Sequence, residues 1–470
     1  MENVFEMVEI ANTKLEVKSP IINQIYIAAQ ARNNCRRVRD GRFFFFLISA
    51  TAKMEMKMEE CEVIDLYELH YSDLSSSTKV DSIMEALGAN GPGLLAVTGI
   101  PNSSNLRSYL LPLARNLSLL DRLTRNRILK EHNLGSDVSL KNPHRSVSSF
   151  AMQLNYSKTH SEEKDKDKDK PQCYGNGFES LGSVFQELGF CMMEVGLCLA
   201  RICDKAIGGN ELEQSLLESL AAKGRLIHYH SQLDAILIQQ LDKSKANNKR
   251  GVKNNIKPLE VSCLDSVACD DAVRSDLWQQ WHYDYGIFTV LTAPLFLSPS
   301  YSKSSTTLDS CSCVECASPT GHTNLQIYDP NKKKVVVVRA PPESFIVQVG
   351  ESADIISKGK LRSTLHSVYR PLKFENLSRE TFVVFLQPAW TKVFSISDYP
   401  LGKSAFDGVN GREFDDEEQW SGQDNNKLSL EIQKIVPPLS SRLKDGMTFA
   451  EFSRETTKRY YGGNGLQSNR

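Results

Sequence analysis

The segment Ser344-Phe-Ile-Val-Gln-Val-Gly-Glu-Ser-Ala-Asp-Ile-Ile-Ser-Lys-Gly-Lys-Leu-Arg-Ser-Thr-Leu-His366 decides the predicted fold. Its apolar runs Phe345–Val349 and Ala353–Ile356, and the run Ser363–Val368, are strand-like and are separated by Gly, Ser and Lys. Runs of the same kind lie on both sides of it: Ile287–Thr292, Leu325–Tyr328, Lys334–Arg339 and Thr381–Leu386. Many short strands with turn residues between them indicate a sandwich, a barrel or a jelly roll.

A histidine and a carboxylate begin one of these strands, in Trp281-His-Tyr-Asp-Tyr-Gly-Ile. Positions i and i+2 of a strand share a face, so His282 and Asp284 can reach one metal ion. The pair alone is a weak signal. Nine histidines and 57 acidic residues in a chain of 470 give about one His-x-Asp/Glu pair by chance, and His160-Ser-Glu162 is a second such pair. His366, on a later strand, would add a second imidazole, and two His with one carboxylate leave one side of the metal open, as non-haem Fe(II) requires.

A third candidate lies in Arg379-Glu-Thr381, which leads into the apolar strand Phe382–Leu386. Arg379 and Thr381 again share a strand face. The guanidinium can hold a carboxylate through two hydrogen bonds, and the hydroxyl can add another.

Taken together, these segments resemble the plant-type Fe(II)/2-oxoglutarate-dependent dioxygenases of the isopenicillin N synthase-like superfamily. The resemblance rests on 281–297, on 324–388 and above all on the segment 344–366, in this order. It implies a mainly β fold with flanking helices: a double-stranded β-helix (jelly-roll) core with an N-terminal α/β region and a C-terminal helix.

The resemblance also implies roles for single residues. His282, Asp284 and His366 would bind Fe(II), while Arg379 and Thr381 would bind the distal carboxylate of 2-oxoglutarate. Thr381 stands where the family usually has Ser, which keeps the hydroxyl. In Ile227-His-Tyr-His-Ser231, relatives carry an Asn-Tyr-Tyr-Pro-like segment whose Tyr contacts the co-substrate. We assign that contact to Tyr229, with His230 as the alternative; His228 and His230 could equally pack near the mouth of the barrel.

The resemblance and the composition of the segments together predict how the chain is divided into regions. Residues 1–60 are an appended or loosely ordered extension, of which 1–53 would be absent if translation begins at an internal Met; 61–160 form the N-terminal α/β region; 161–175 are a charged linker; 176–400 form the catalytic core, with polar insertions near 242–258 and 298–320; 401–470 form a tail and helix. A packed helix is expected from about Ser180 to Ala206.

The composition of the chain bears on its partners and its location. Lys and Arg total 56 and Asp and Glu 57, so the net charge of −1 gives no reason to expect nucleic acid or an anionic membrane as partner. The longest apolar run, Phe43–Ala50, is shorter than the roughly 20 residues of a membrane span. Eleven scattered cysteines favour reduced thiols and a location in the cytoplasm, or in the nucleus. The oligomeric state is open.

Cys311-Ser-Cys-Val-Glu-Cys316 and His322 have a second interpretation, as a Cys3His zinc site. The three cysteines are tightly spaced for a tetrahedral ion, so a loop with free thiols is favoured.

The leading hypothesis is an Fe(II)- and 2-oxoglutarate-dependent enzyme that uses O2 to oxidise a C–H bond of a small organic substrate, releasing succinate and CO2. Two alternatives stay open: a non-catalytic jelly roll that binds or regulates, and an oxidase that uses the same iron without 2-oxoglutarate.

Overall fold

The computed structural model describes residues 62–136, 140, 145–155, 177–219, 221–248, 277–299, 313–371, 373–374, 376–397, 399–400, 432 and 434–461. The predicted extension 1–60, the charged linker 161–175 and the first part of the tail, 401–431, therefore lie outside the described residues.

Two sheets form the core. The first, sheet A, has the strand order β1-β11-β10-β13-β6. Its strands are β1 (Val63–Asp65), β6 (Leu277–His282), β10 (Leu325–Asp329), β11 (Lys334–Arg339) and β13 (His366–Tyr369). All neighbours in sheet A are antiparallel except β1 and β11.

The second, sheet B, has the order β2-β3-β12-β7-β14-β5-β4, with β8 beside β14 and β9 beside β8. Its strands are β2 (Glu68–His70), β3 (Leu94–Thr98), β4 (Val147–Asn155), β5 (Ala221–Tyr229), β7 (Phe288–Thr292), β8 (Leu295–Pro299), β9 (Cys313–Cys316), β12 (Phe345–Val349) and β14 (Ser378–Leu386). Strands β2 to β4, from the predicted N-terminal region, thus complete the sheet that the predicted core supplies.

The described α-helices are α1 (Val80–Leu87), α2 (Ser103–Leu119), α3 (Arg122–Glu131), α4 (Leu181–Ile207), α5 (Glu211–Ser219), α6 (Gln232–Asn248), α7 (Glu351–Ile356) and α8 (Phe449–Tyr461). Helices α1, α2 and α4 cover one face of sheet B with apolar side chains. Gly196 brings α4 close to β14, because a Cβ there would collide with Leu386. Helix α4 is also long and apolar enough to span a membrane by length and composition, but most of it is buried in this core.

The side chains of β14 show how the two sheets share the core. Phe382, Val384 and Leu386 pack under the helices, whereas Val383 and Phe385 point to the other side, into the apolar cluster between the sheets. This alternation is what a strand buried on both faces requires. We call the helix-covered side of sheet B its outer face and the side toward sheet A its inner face.

The predicted jelly roll with flanking helices is confirmed. One local prediction was wrong. The apolar run Ala353–Ile356 belongs to helix α7 and not to a strand, because it follows Gly350 and carries Glu351 and Asp354 in its first turn. Helix α6 continues to Asn248, into the start of the predicted polar insertion near 242–258. The predicted helix Ser180–Ala206 and the C-terminal helix are present as α4 and α8.

Candidate metal centre

Strand pairing brings two of the predicted ligands together. His366 opens β13 and lies directly opposite His282, the last residue of the neighbouring strand β6. Their imidazole centroids are 4.2 Å apart. Asp284 follows two residues later, so one ligand atom from each of the three residues lies within 4.8 Å of the others. Within the described part of the chain, no other group of His, Cys, Asp and Glu has this arrangement.

Backbone carbonyls fix the orientation of both imidazoles. His282 Nδ1 lies 2.7 Å from the carbonyl oxygen of Gln280, and His366 Nδ1 lies 3.0 Å from that of Thr364. When Nδ1–H donates to a carbonyl, the lone pair on Nε2 stays free. This tautomer is the one that binds a metal ion through Nε2. The Nε2 atoms lie 3.7 Å (His282) and 3.9 Å (His366) from the Asp284 carboxylate.

The Asp284 carboxylate is held by two buried side chains that the sequence analysis missed. Thr289 Oγ1 donates to Asp284 Oδ2 at 2.7 Å, and Gln348 Nε2 donates to the same oxygen at 3.3 Å. Gln348 Nε2 also lies 2.8 Å from His366 Nδ1, but both atoms carry N–H donors in the tautomer that frees Nε2, so the hydrogen bond that Gln348 makes here is the one to Asp284. Both side chains project from the inner face of sheet B, and such contacts around a metal orient its ligands.

Burial keeps His282 neutral. Burial and, to a smaller extent, the neighbouring His366 lower the pKa of His282 to about 4 against the opposing effect of Asp284. A neutral imidazole is the form that ligates a metal near pH 7. Two imidazoles and one carboxylate on one side of a site fit Fe(II), which this arrangement leaves open to further ligands.

Arg379 projects from the inner face of β14 and is 1% exposed. Its Nε donates to the carbonyl of Thr323 at 3.0 Å, and its guanidinium lies 5.1 Å from the centre of the Tyr229 ring. Among the described residues no carboxylate lies within ion-pair distance of it. Burial therefore lowers the pKa of Arg379, with Tyr229 and Glu380 opposing the shift. A buried guanidinium without a carboxylate is a place for an anionic ligand.

Thr381 and Tyr229 lie beside Arg379 on the same face. Thr381 Oγ1 donates to the carbonyl of Thr292 at 3.2 Å. Tyr229 is the cross-strand partner of Arg379, and charges at both ends of the site act on its phenol. Burial raises the pKa of Tyr229, Arg379 lowers it, and Asp284 raises it. Tyr229 is therefore within electrostatic reach of both Arg379 and Asp284.

One side of the site is open. Along β5, the inner-face residues Arg225 and Ile227 are half-buried, whereas the outer-face residues Leu226 and His228 are fully buried. Arg225 stacks on Phe385 at 4.7 Å and is close enough to His282 to lower the pKa of that imidazole. The sequence analysis did not single out Arg225, although its i−4 spacing from Tyr229 on a strand puts both on one face.

His228 and His230, which the sequence left open, do not line the site. His228 lies on the outer face, bonded to Glu380, and the His230 ring stacks on it at 4.7 Å. His230 Nε2 lies 2.9 Å from Ser148 Oγ, and burial lowers the pKa of His230 well below 6.5. His230 therefore does not take the place assigned to Tyr229.

The alternative zinc site receives no support from the described residues. Cys313 and Cys316 belong to the short strand β9, where an i+3 spacing puts side chains on opposite faces. His322 Nε2 lies 2.9 Å from the hydroxyl of Tyr369. Cys311 lies outside the described residues.

Comparison with known proteins gives structural neighbours only. No protein-family model matches the chain, and no curated protein matches it. Among solved structures, JOX2 in complex with 2OG, Fe and JA is 13% identical, with a TM-score of 0.43 over 71% of this chain and 78% of that one. The dioxygenase for auxin oxidation from rice is 16% identical, with a TM-score of 0.42 over 83% of this chain and 99% of that one. The dioxygenase for auxin oxidation 1 from Arabidopsis thaliana, in a binary complex with 2-oxoglutarate, is 14% identical, with a TM-score of 0.39 over 69% of this chain and 92% of that one.

Proposed function

We propose that the chain is a non-haem Fe(II)- and 2-oxoglutarate-dependent oxygenase that oxidises a C–H bond of a small organic substrate and releases succinate and CO2. The observation that carries the proposal is the convergence of His282, Asp284 and His366 on one side of a site inside a jelly roll. It rests on the residues of this chain, because neighbours at these identities and TM-scores do not assign a function.

The two histidines and Asp284 would hold the ion through His Nε2 atoms and a carboxylate oxygen. The carbonyls of Gln280 and Thr364 fix the imidazoles in the required tautomer. Thr289 and Gln348 hold the carboxylate, so the three groups are oriented before the metal arrives. Bound Fe(II) would supply the O2-dependent oxidation of 2-oxoglutarate and of the substrate C–H bond.

Arg379 would bind the distal carboxylate of 2-oxoglutarate. The buried guanidinium lacks a described carboxylate partner and has a fork of donors that fits a carboxylate with two parallel hydrogen bonds. Thr381, two residues along the same face, would donate or accept a further hydrogen bond. Tyr229, whose ring lies 5.1 Å from the Arg379 guanidinium, would contact the co-substrate.

The open side of the site, along the half-buried inner face of β5, would admit the substrate. The buried floor around Arg379 and Tyr229 would exclude water from the reacting groups. The non-catalytic alternative gains nothing from the described residues, since all three candidate ligands and the residues that orient them are in place.

Anaerobic calorimetry tests this function. Metal-free protein is titrated with Fe(II) and then with 2-oxoglutarate. We expect one Fe(II) per chain and co-substrate binding that requires the metal. Asp284→Ala should lose both, whereas Thr381→Ser, which keeps the hydroxyl, should retain both. A folded parent protein that binds neither Fe(II) nor 2-oxoglutarate contradicts the proposal.

A further inference from the structure

Four charged or ionisable side chains are buried together on the outer face of sheet B, where β5 and β14 pack against α2 and α6. They are Arg115, His228, Asp234 and Glu380, and we call them the buried ionic cluster. Arg115 is 6% exposed and the other three are 0% exposed. The neighbouring outer-face residues Leu226 and Phe382 are apolar, so the cluster interrupts an otherwise hydrophobic layer.

Hydrogen bonds and one longer contact link the four side chains. His228 Nδ1 lies 2.9 Å from both carboxylate oxygens of Glu380, and His228 Nε2 lies 3.5 Å from Asp234 Oδ2. Arg115 donates to Asp234 Oδ1 through Nε at 2.9 Å and pairs with it through a terminal nitrogen at 2.8 Å.

Two hydroxyls complete the cluster. Ser231 Oγ donates to Asp234 Oδ2 at 2.7 Å, and Ser378 Oγ donates to Glu380 Oε1 at 2.8 Å.

Each carboxylate of the cluster has a partner inside it. Burial raises the pKa of Asp234, but His228 and Arg115 lower it below its ordinary value, so Asp234 and Arg115 balance each other. Burial raises the pKa of Glu380, and its hydrogen bonds with His228 and Ser378 oppose that shift. The contact between His228 Nδ1 and the Glu380 carboxylate joins β5 to β14 in a fixed direction.

This contact lies beneath the proposed co-substrate site. In the antiparallel register, Glu380 is opposite His228, with the pair Arg379 and Tyr229 on one side of it and Thr381 on the other. Because strand side chains alternate, Glu380 points to the outer face while its two neighbours point inward. A slip of one residue would turn Arg379 away from the inner face.

We propose that His228 and Glu380 are positioning residues for 2-oxoglutarate: their pair fixes the register of β14 on β5 and so holds Arg379 and Tyr229 in the site. The inference rests on the proposed function. A pair of apolar side chains would satisfy the packing of the layer equally well, since replacing a buried ion pair by hydrophobic residues often leaves stability unchanged. Because Phe382–Leu386 is apolar on both faces of sheet B, its hydrophobic pattern alone does not distinguish the two faces, whereas a hydrogen-bonded pair on one face does.

The test is the double variant His228→Leu/Glu380→Leu, which removes both members and leaves Arg115 and Asp234 balanced. We expect a melting temperature close to that of the parent protein and an unchanged Fe(II) affinity. We expect the Kd of 2-oxoglutarate, measured anaerobically with Fe(II), to rise about tenfold or more, because misplaced binding groups lose much of their effect. In turnover, the KM for 2-oxoglutarate should rise more than kcat falls.

Leu226→Ala is the matched control. It truncates an outer-face neighbour of the pair on β5, so it should lower the melting temperature without changing the Kd of 2-oxoglutarate. Ser378→Ala is a milder second variant if the double variant fails to fold. It removes one hydrogen bond from Glu380 and should raise the Kd about two- to tenfold, the usual range for one such bond.

The outcomes separate the two proposals. A parent protein that binds no 2-oxoglutarate overturns the proposed function and this inference with it. A parent and a folded double variant that bind it equally well overturn the positioning role alone, as does an unchanged Kd in Ser378→Ala when the double variant does not fold.

Discussion

Arg379→Leu should weaken binding of 2-oxoglutarate strongly while changing the free energy of unfolding of the free protein only slightly. In the proposed complex, Arg379 meets a carboxylate in a buried site, and removing one partner of such a pair costs about 2–5 kcal/mol. The Kd of 2-oxoglutarate should therefore rise about 30-fold to several thousand-fold, at 1.4 kcal/mol per factor of ten. Arg379→Lys, which keeps the charge but loses the fork of donors, should give an intermediate value.

The effect of Arg379→Leu on the free protein should be small. The variant loses one hydrogen bond, to the carbonyl of Thr323, worth about 1 kcal/mol, and removes a charge that burial disfavours. The control Arg442→Leu removes an equally buried guanidinium that is bonded to Glu351 at 2.6 and 2.8 Å. Breaking such a pair costs about 3–5 kcal/mol, but it should leave the Kd unchanged. Thermal denaturation and anaerobic calorimetry measure both effects. Unchanged 2-oxoglutarate binding by folded Arg379→Leu would refute the assigned role.

Two of the remaining predictions concern the candidate metal ligands, and one concerns a buried thiol. Gln348→Leu should weaken Fe(II) binding about 10- to 100-fold, the usual effect of losing a side chain that orients a metal ligand. The control Gln326→Leu replaces another buried glutamine, which is bonded to Ser367, and should leave the Fe(II) affinity unchanged. Equal Fe(II) affinities of Gln348→Leu and the parent protein in calorimetry would show that Gln348 does not orient the ligands. The metal-free protein should lose stability as the pH falls from 6.5 toward 4, because in this range His282 binds a proton in the unfolded chain but, with a pKa of about 4, not in the folded protein. Urea unfolding at pH 7 and pH 5 should show a smaller loss of stability in His282→Asn than in the parent protein. An identical loss in both would contradict the lowered pKa of His282. Burial raises the pKa of the fully buried Cys203 to about 12, so iodoacetamide at pH 8 should modify this thiol only after unfolding. Mass spectrometry that finds Cys203 labelled in the folded protein would contradict its burial.

The sequence predicted the parts of the molecule that depend on short-range pattern. The apolar run Phe382–Leu386 indicated a strand, and the i, i+2 spacing placed His282 and Asp284 on one side. The resemblance to a known family added His366, which lies opposite His282 because β13 pairs with β6. Pattern failed at Ala353–Ile356, where a short apolar run fits a strand or a helix equally well.

Contacts that depend on the register between distant strands were not predictable. Gln348 and Thr289 come from two neighbouring strands of sheet B, and no local spacing shows that both reach Asp284. His228 and Glu380 are paired across β5 and β14, so their side chains meet only once that register is known. The sequence for this reason left His228 undecided, and the structure places it behind the site.

The central claim is that His282, Asp284 and His366 hold Fe(II) together with a chelating 2-oxo acid. The most direct measurement adds Fe(II) and then 2-oxoglutarate to the purified protein without oxygen and records the visible charge-transfer absorption of an Fe(II)–2-oxo acid chelate. The proposed iron site should give this band in the parent protein, and a folded His366→Ala variant should lack it. A folded parent protein without the band, or a variant that retains it, would contradict the claim.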